Sequence, residues 1–524
     1  MGFCWAYKYR WYSLLIPLTV VLALGVGAGK IVQTADYKVY FNKNDPGLIA
    51  SDKLAADYSK SDNVLFVIAP KDKNVFSKKT LLSIQKLTKE AWQVPFSSRV
   101  DSITNFQHSY SEKDDLIISN LVNDAASISQ PELEKVKKIA LNEPELLGRI
   151  INPAGSVTGV NVTINFSDGK VDSQTREVVK FVRKLRKQVI EENPDLDVYL
   201  TGIVMMNNAF PESSEQDGQN LVPLVFLFIL GGIYFLFRSA TATFATLVVI
   251  LLSIVTAMGF AGWAGLKINP ASGAAPIIIL TLAVADCVHI LSTIFYKIRV
   301  MSVEKKEAVK ESLEVNFKPV VVTSVTTAIG FLSMNFSDAP PFRDLGNITA
   351  VGILAGLVLS LTVLPALVNL MKIKDKKSGH DSDWIVSVLK MISGSVIGSP
   401  LKYLVVLAVI SVAVASMSVK NELNEDFIRY FDKSFDVRKS TEFTLNNLTG
   451  VGVIEYDVLS GKENGIYSPG YMQNLDKLTQ WYRSQPEVSH VSTFSDTIKR
   501  INKDLNYNKS EYYSIPDSQN LMAQ

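Results

Sequence analysis

The sequence predicts a polytopic α-helical membrane protein with extracytoplasmic α+β domains of the ferredoxin-like βαβ kind. Three observations carry that prediction. Seven apolar runs, each near the length of a bilayer-spanning helix, punctuate the 524 residues. Two long polar stretches follow the first and the last of them, and Lys and Arg collect in the short loops of one side only. The mean hydropathy, +0.17, is too high for a soluble enzyme of this size. With 53 basic and 51 acidic residues the net charge is +2, so no basic field points to nucleic acid. Two cysteines, Cys4 and Cys287, cannot build a disulfide scaffold, and no Cys or His spacing marks a metal site.

Residues 1–30 hold a cytoplasmic N-terminus and the first span. Its apolar core at 11–28 follows Lys8 and Arg10 and lacks a small-x-small cleavage site ahead of a mature start. Residues 31–219 form the first external domain. Within it 63–69 reads as a buried strand, 77–92 as a helix, 100–106 as a strand and 156–166 as an alternating strand. A charged helix at 172–192 and a strand at 197–201 follow. Strand–helix–strand thus occurs twice, which predicts two βαβ units packed as ferredoxin-like lobes, with 116–150 between them as a helical insertion.

Residues 220–371 are expected to form a five-helix bundle, with spans at 220–237, 243–266, 273–296, 319–336 and 346–371. Residues 372–400 are a cytoplasmic linker, 401–419 the seventh span, and 420–524 the start of a second external domain. Orientation follows from the basic residues. One set of loops carries Arg238, Lys297, Arg299, Lys305, Lys306, Lys310, Lys318, Lys372, Lys374, Lys376 and Lys377; the opposite short loops carry only Lys267 and Arg343. The N-terminus is therefore placed in the cytoplasm and both polar domains on the far side.

The chain also repeats itself. The stretch from Asp36 to Lys43 matches that from Asp426 to Lys433 without a gap, at an offset of 426 − 36 = 390. Looser matches pair 64–69 with 451–458, 77–92 with 468–481, and 100–106 with 488–494. On that offset residue 524 corresponds to about residue 134, so 420–524 reads as an incomplete repeat and the chain as a truncated product or fragment.

One helix, a large external domain, five clustered helices and the start of the same again resembles the resistance–nodulation–division (RND) superfamily. The closer likeness is to its MMPL branch of exporters, whose helix bundle is similar to that of sterol-sensing-domain proteins. Three stretches carry it: residues 36–46, residues 283–290 around Asp286, and residues 342–353. Many MMPL exporters place an aromatic residue after the intramembrane aspartate; here Cys287 stands there. The resemblance implies a proton-driven secondary-active exporter in the cell (inner) membrane, with a hydrophobic or lipid-like substrate, protons and membrane lipids as its partners. It leaves a homo-oligomer open.

Asp286 lies near the middle of the fourth span, where an ionised carboxylate costs about 2.5–3.5 kcal/mol on insertion scales and so calls for a partner or a proton. A desolvated carboxylate can load a proton from one side and release it when hydration changes. His289 and Thr293 follow on the same helical stripe. The fifth span is rich in hydroxyls, Thr323, Ser324, Thr326 and Thr327, which either glue helices together or solvate a proton path. Asp286, His289, Thr293 and Thr327 are the relay candidates. Arg343, Asp344 and Gly346 at the mouth of the sixth span, with Asp36 and Tyr37 after the first, are candidates for coupling or structure. For Asp344 a helix-capping role is the plainer alternative. Gly259, Gly262 and Gly265 have the spacing of a close helix contact.

Ser312, Ser324 and Cys287 have no nucleophile–base arrangement around them, so no enzymatic activity is expected. No phosphate-binding glycine loop exists, so no ATP drive or cofactor is expected either. The alternatives are a lipid-sensing or scaffold protein that does not pump, and an inactive remnant of an exporter.

Overall fold

The computed structural model describes residues 10–34, 36–58, 62–112, 115–167, 170–371, 383–422 and 426–524. The N-terminus with Cys4, expected in the cytoplasm, and the basic part of the 372–400 linker lie outside the described residues.

In chain order, α1 (Arg10–Gly25) runs into a 3-10 turn, Val26–Lys30, then β1 (Val32–Gln33) and a second 3-10 turn, Tyr37–Tyr40. Next come α2 (Pro46–Asp57), β2 (Asn63–Pro70), α3 (Lys78–Ala91), β3 (Ser97–Asp101), β4 (Gln107–Glu112) and β5 (Asp115–Asn120). They are followed by α4 (Gln130–Ala140), β6 (Thr158–Ile164), α5 (Val171–Glu192) and β7 (Leu196–Thr201). The long helices are α6 (Ile203–Phe237), α7 (Ala240–Trp263), α8 (Ala275–Arg299), α9 (Lys305–Leu332) and α10 (Pro340–Leu370), with β8 (Lys267–Ile268) between α7 and α8. After them come α11 (Asp383–Gly398), α12 (Pro400–Ser416), α13 (Asp436–Asn447), α14 (Pro469–Arg483) and α15 (Phe494–Leu505). Among the described residues seven helices are long and apolar enough to cross a membrane. The chain divides into two compact units, one of 1–34, 38–42 and 213–426, the other of 35–37, 43–212 and 427–524.

The second unit is a lobe of strands and helices. Its main sheet has the order β3-β6-β2-β7, antiparallel throughout. This corrects the expectation of two lobes. The two strand–helix–strand units interleave into one ferredoxin-like sheet, because β2 is an apolar run buried on both faces and needs a neighbour on each edge. Phe66 sits opposite Val160 on one side and Leu200 on the other. α3 and α5 cover the face that carries Val64, Phe66 and Ile68, burying Leu81, Ile84 and Leu87 from one helix and Val178, Val182 and Leu185 from the other. Ser77 starts α3 by accepting the Thr80 amide. Phe66→Ala is expected to lower the unfolding free energy of the lobe by about 3–5 kcal/mol, read by denaturant titration.

Two local expectations change. The strand expected at 100–106 stops at Asp101, because Asn105 folds the chain back: its Oδ1 accepts the Ser102 amide at 2.8 Å and its Nδ2 donates to the Val100 carbonyl at 2.7 Å. The insertion expected to be helical from 116 is first a hairpin of β4 and β5, and only then the helix α4, opened by a Ser129–Glu132 capping box.

The segment 427–524, expected as the start of a separate domain, belongs to this same lobe. α13 lies on the other face of the sheet. Leu448 packs with Leu65, Val67 and Val157, Phe443 stacks on Tyr199 at 4.1 Å, and the Thr441 and Thr201 hydroxyls meet at 2.8 Å. α15 reaches the hairpin and the loop after α4, through Asp504 with Ser109 and Arg500 with Glu143 at 3.2 Å. The repeat holds for helices and fails for strands. Turn Tyr37–Tyr40 plus 390 is turn Phe427–Tyr430, and α2 plus 390 is α13 at both ends. Residues 451–458 and 488–494, expected as strands, are unpaired. β2 is paired on both edges, by β6 and β7, and neither 451–458 nor 488–494 has such neighbours among the described residues. A strand has no stability without neighbours.

Two histidines bind this lobe's stability to pH. Burial pushes His490 below its ordinary value, with Arg149 and Arg483 adding to that; its Nδ1 lies 3.1 Å from the Leu147 carbonyl. Burial lowers His108 likewise, against the opposing pull of Asp504. A base whose folded value is depressed stabilises fully above its unfolded value of 6.5 and loses that contribution as pH falls below it. Acidification from pH 7.5 to 5.5 is therefore expected to lower the hydrogen-exchange protection factors, the rates taken relative to the intrinsic rate at each pH, in β4 and in 485–493, and His490→Gln is expected to shrink that difference.

The first unit holds the membrane helices. α1 and its 3-10 tail lie against α7 at backbone contact. A Cβ on Gly262 would stand 1.8 Å from the Gly27 carbonyl oxygen, one on Gly259 2.1 Å from that of Leu24, and one on Gly27 2.2 Å from that of Gly259. Gly265 does not share in this contact. It has open space around it and a φ of +69°, so it turns the chain after α7. Trp263 fastens the same end, donating to the Ala23 carbonyl at 3.3 Å while the Lys30 ammonium sits 3.7 Å over its ring. α6 is one helix of 35 residues that starts well before the 220 expected. At 1.5 Å per residue it measures about 50 Å, longer than a hydrocarbon core of about 30 Å, so its polar first half is a helical extension of an apolar span. α12 buries none of its residues.

Candidate intramembrane polar site

α8 is apolar except for a short polar interruption, and its packing decides which of those groups face inward. Asp286 is 5% exposed and Cys287 fully buried. Opposite them, α9 buries Ser312, Asn316, Val320 and Ser324, four residues apart along one stripe. Ser324 donates to Asp286 Oδ2 at 2.8 Å. About two and three turns nearer the start of α9 the same stripe holds α8 by its backbone and side chains. Ser312 donates to the Ile290 carbonyl at 2.8 Å, and Asn316 Nδ2 donates to Thr293 Oγ1 at 2.9 Å. On the remaining side Gly356 of α10 leaves room for Ser253 of α7 and Ala283 of α8, which stand 3.4 and 3.5 Å from where its Cβ would be. The carboxylate is therefore buried where α8 faces α9, and its hydrogen-bond donor among the described residues is a neutral hydroxyl.

The sequence candidates distribute unevenly around this site. Asp286 is central; Thr293, two turns further along α8, accepts from Asn316, and no hydrogen bond links that pair to Asp286 among the described residues. Thr327 does not reach Asp286; it is half-buried and donates to the Thr323 carbonyl of its own helix at 2.7 Å. The inward hydroxyl is Ser324, because the buried stripe of α9 passes through 316, 320 and 324 and leaves 327 about 60° to one side. His289 sits on the exposed side of α8, and no hydrogen bond joins it to Asp286 among the described residues. Its carbonyl accepts from Ser292 and Thr293. Asn316 was missed; a polar residue eight before Ser324 on the same face was the available signal.

At the start of α10, Arg343 donates from Nε to the Ser337 carbonyl at 2.6 Å, and Asn335 and Asn347 exchange amide hydrogen bonds at 2.9 and 3.0 Å. Gly346 allows close approach to α9, since a Cβ there would lie 2.4 Å from the Phe331 carbonyl oxygen. Asp344 is not a cap: the N-cap of α10 is Ala339, and no acidic residue lies in the first turn. Asp36 and Tyr37 lie at the 3-10 turn after β1.

Seven apolar helices among the described residues, a ferredoxin-like lobe and a buried mid-span carboxylate bonded by a neighbouring span define a multi-pass membrane protein of the RND transporter type. A model of the MMPL family matches residues 46–416. The chain belongs to the MMPL family. It is 24% identical over 361 residues to MJ1562 of Methanocaldococcus jannaschii, named as a membrane protein, which covers 68% of this chain and 89% of that one. It is 23% identical over 393 residues to MmpL12 of Mycobacterium tuberculosis, named as a probable transport protein, which covers 72% of this chain and 33% of MmpL12. YdgH of Bacillus subtilis, also named as a membrane protein, is 24% identical over 238 residues, 44% of this chain and 26% of that one.

Proposed function

We propose that the protein exports hydrophobic or lipid-like molecules across the cell (inner) membrane, driven by protons, and carries out no covalent chemistry of its own. The observation that carries this reading is Asp286, buried at mid-span and hydrogen-bonded only to the Ser324 hydroxyl among the described residues. A hydroxyl donates to a carboxylate and accepts from a carboxylic acid, so both protonation states find a partner without any change of neighbour. A lysine or arginine in that place would instead hold the charged form. Scaffold and sensor roles call for a permanently compensated charge, which a serine does not supply.

The cytoplasmic placement of the N-terminus, with the lobe on the opposite side, rests on the one-sided Lys and Arg of the short loops. In the cycle, protonation of Asp286 shifts α8 against α9, and the displacement passes to the lobe, which releases cargo outward. The name MmpL12 carries, a transport protein, favours the same class of activity.

The test uses the protein in vesicles that contain a fluorescent phospholipid analogue. Export is expected to require an imposed proton gradient and to stop when nigericin and valinomycin collapse it. Export that continues at the same rate without a gradient would refute the proton drive.

A further inference from the structure

The buried polar groups between α8 and α9 form two clusters, and the proposed cycle uses only the first, Asp286 with Ser324. The second is Ser312, Asn316 and Thr293. Ser312 and Asn316 are buried, and Asn316 Nδ2 donates to Thr293 Oγ1 at 2.9 Å and lies 3.3 Å from Ser312 Oγ. Next to Ser312 in sequence, Glu311 pairs with Lys297 at 2.6 Å, an ion pair of the kind found at the rim of the hydrocarbon. Polar side chains thus run inward from the Arg299 end of α8 as far as Asn316, and there they stop.

One residue separates the two clusters. Along the buried stripe of α9, Val320 stands between Asn316 and Ser324, in one apolar cluster with Cys287 and Ile290. Four helical residues rise about 6 Å, so Asn316 and Ser324 are about 12 Å apart along the axis. Two hydrogen bonds of about 2.9 Å, with one water between them, span a gap of about 6 Å but not one of about 12 Å. Water does not settle among valine and isoleucine either, because it needs about two to four polar partners. Helix adhesion alone accounts for the second cluster, but it gives Val320 no special place.

Resting on the proton reading of Asp286, we propose that Asn316, fixed by Ser312 and Thr293, is a second station of the proton path, and that Val320 is the block between it and Asp286. The path is closed in this structure. When α8 shifts against α9, water enters at Val320. The proton then leaves the Asp286 carboxyl group, passes along that water past Asn316 to the bulk at the Arg299 end, and leaves a carboxylate behind. Asn316 and the hydroxyls orient the water and keep no proton. In the proposed orientation that end is the cytoplasmic one.

Val320→Thr tests the block, because threonine keeps the shape of valine and sets a hydroxyl halfway, leaving two gaps of about 6 Å. The full chain is placed in vesicles that hold pyranine as a pH dye, with potassium and valinomycin to balance charge and no cargo. The unmodified protein is expected to hold an imposed pH difference, and Val320→Thr to dissipate it at least about tenfold faster. Adding Asp286→Asn or Asn316→Leu to Val320→Thr is expected to restore the seal. A monodisperse Val320→Thr variant as tight as the unmodified protein would overturn the proposal, and so would a leak that neither addition closes. Asn316→Leu alone is the second variant and leaves Val320 untouched. Its gradient-driven export is expected to fall at least about tenfold, while Asn316→Ser, which retains a polar atom, keeps it. Export by Asn316→Leu at the unmodified rate counts against the second station. If the unmodified protein exports without a gradient, the transport reading falls, and the leak still decides the path because no cargo is present.

Discussion

Asp286→Asn is expected to abolish gradient-driven export while the protein remains folded and in the membrane. Asparagine matches the shape of aspartate and keeps an acceptor for the Ser324 hydroxyl, so the contact between α8 and α9 survives. What disappears is the titratable proton. Each proton brought down a potential of 100 mV delivers about 2.3 kcal/mol, so losing one per cycle lowers the attainable accumulation ratio by about 50-fold. Stability moves the other way. An uncharged side chain at mid-span escapes part of a cost of about 2.5–3.5 kcal/mol, so the melting temperature in detergent is expected to hold or rise. That pairing of outcomes separates a proton site from a structural contact. A variant that melts lower yet transports in proportion to the folded protein would assign Asp286 to packing alone. Ser324→Ala is the graded companion, since it removes one hydrogen bond to a charged group, worth about 1.5–3 kcal/mol, and leaves the proton in place. Slower export that still responds to the gradient is expected from it.

The polar site was legible in the sequence only as far as burial could be inferred from cost. A carboxylate inside an apolar run must face other helices, which located Asp286. Which hydroxyl meets it was not legible, because Thr323, Ser324, Thr326 and Thr327 spread over about 160° of α9, and only packing against α8 selects Ser324. His289 fails for the same reason in reverse, since a spacing of three residues is compatible with either side of a stripe whose centre is set by tertiary contacts. The lobe shows the contrast between local and non-local information. α2 and α13 follow their own capping and turn residues and repeat at an offset of 390, whereas 451–458 has strand-like residues and no strand, because pairing depends on residues far along a chain. The ferredoxin order of β3, β6, β2 and β7 is non-local too; the sequence supplied its two strand–helix–strand units but not their interleaving.

Gly262→Ala, a change of one carbon, is expected to be among the most damaging substitutions in the membrane unit. The added Cβ would lie 1.8 Å from the Gly27 carbonyl oxygen, where a backbone atom, not a flexible side chain, blocks it. α1 must then move away from α7, and in doing so it gives up the matching contacts at Gly259 and Gly27 and the Trp263 anchor on Ala23. No hydrophobic drive in lipid compensates that loss, because helix association there depends on close packing itself. Overpacking costs about 1–3 kcal/mol in ordinary cores, and a backbone obstacle places this site at or beyond the upper end. The expected result is a large fall in monodisperse protein on size exclusion and a lower melting temperature. Gly265→Ala, two turns of thought away in sequence terms but only three residues on, is the control. It meets no neighbour and costs only the left-handed backbone at φ +69°, about 1–2 kcal/mol. Equal behaviour of the two variants would show that α1 and α7 do not touch in the membrane. A severe effect confined to Gly262, Gly259 and Gly27 would mark the first span as an integral wall of the bundle rather than a tether for the lobe.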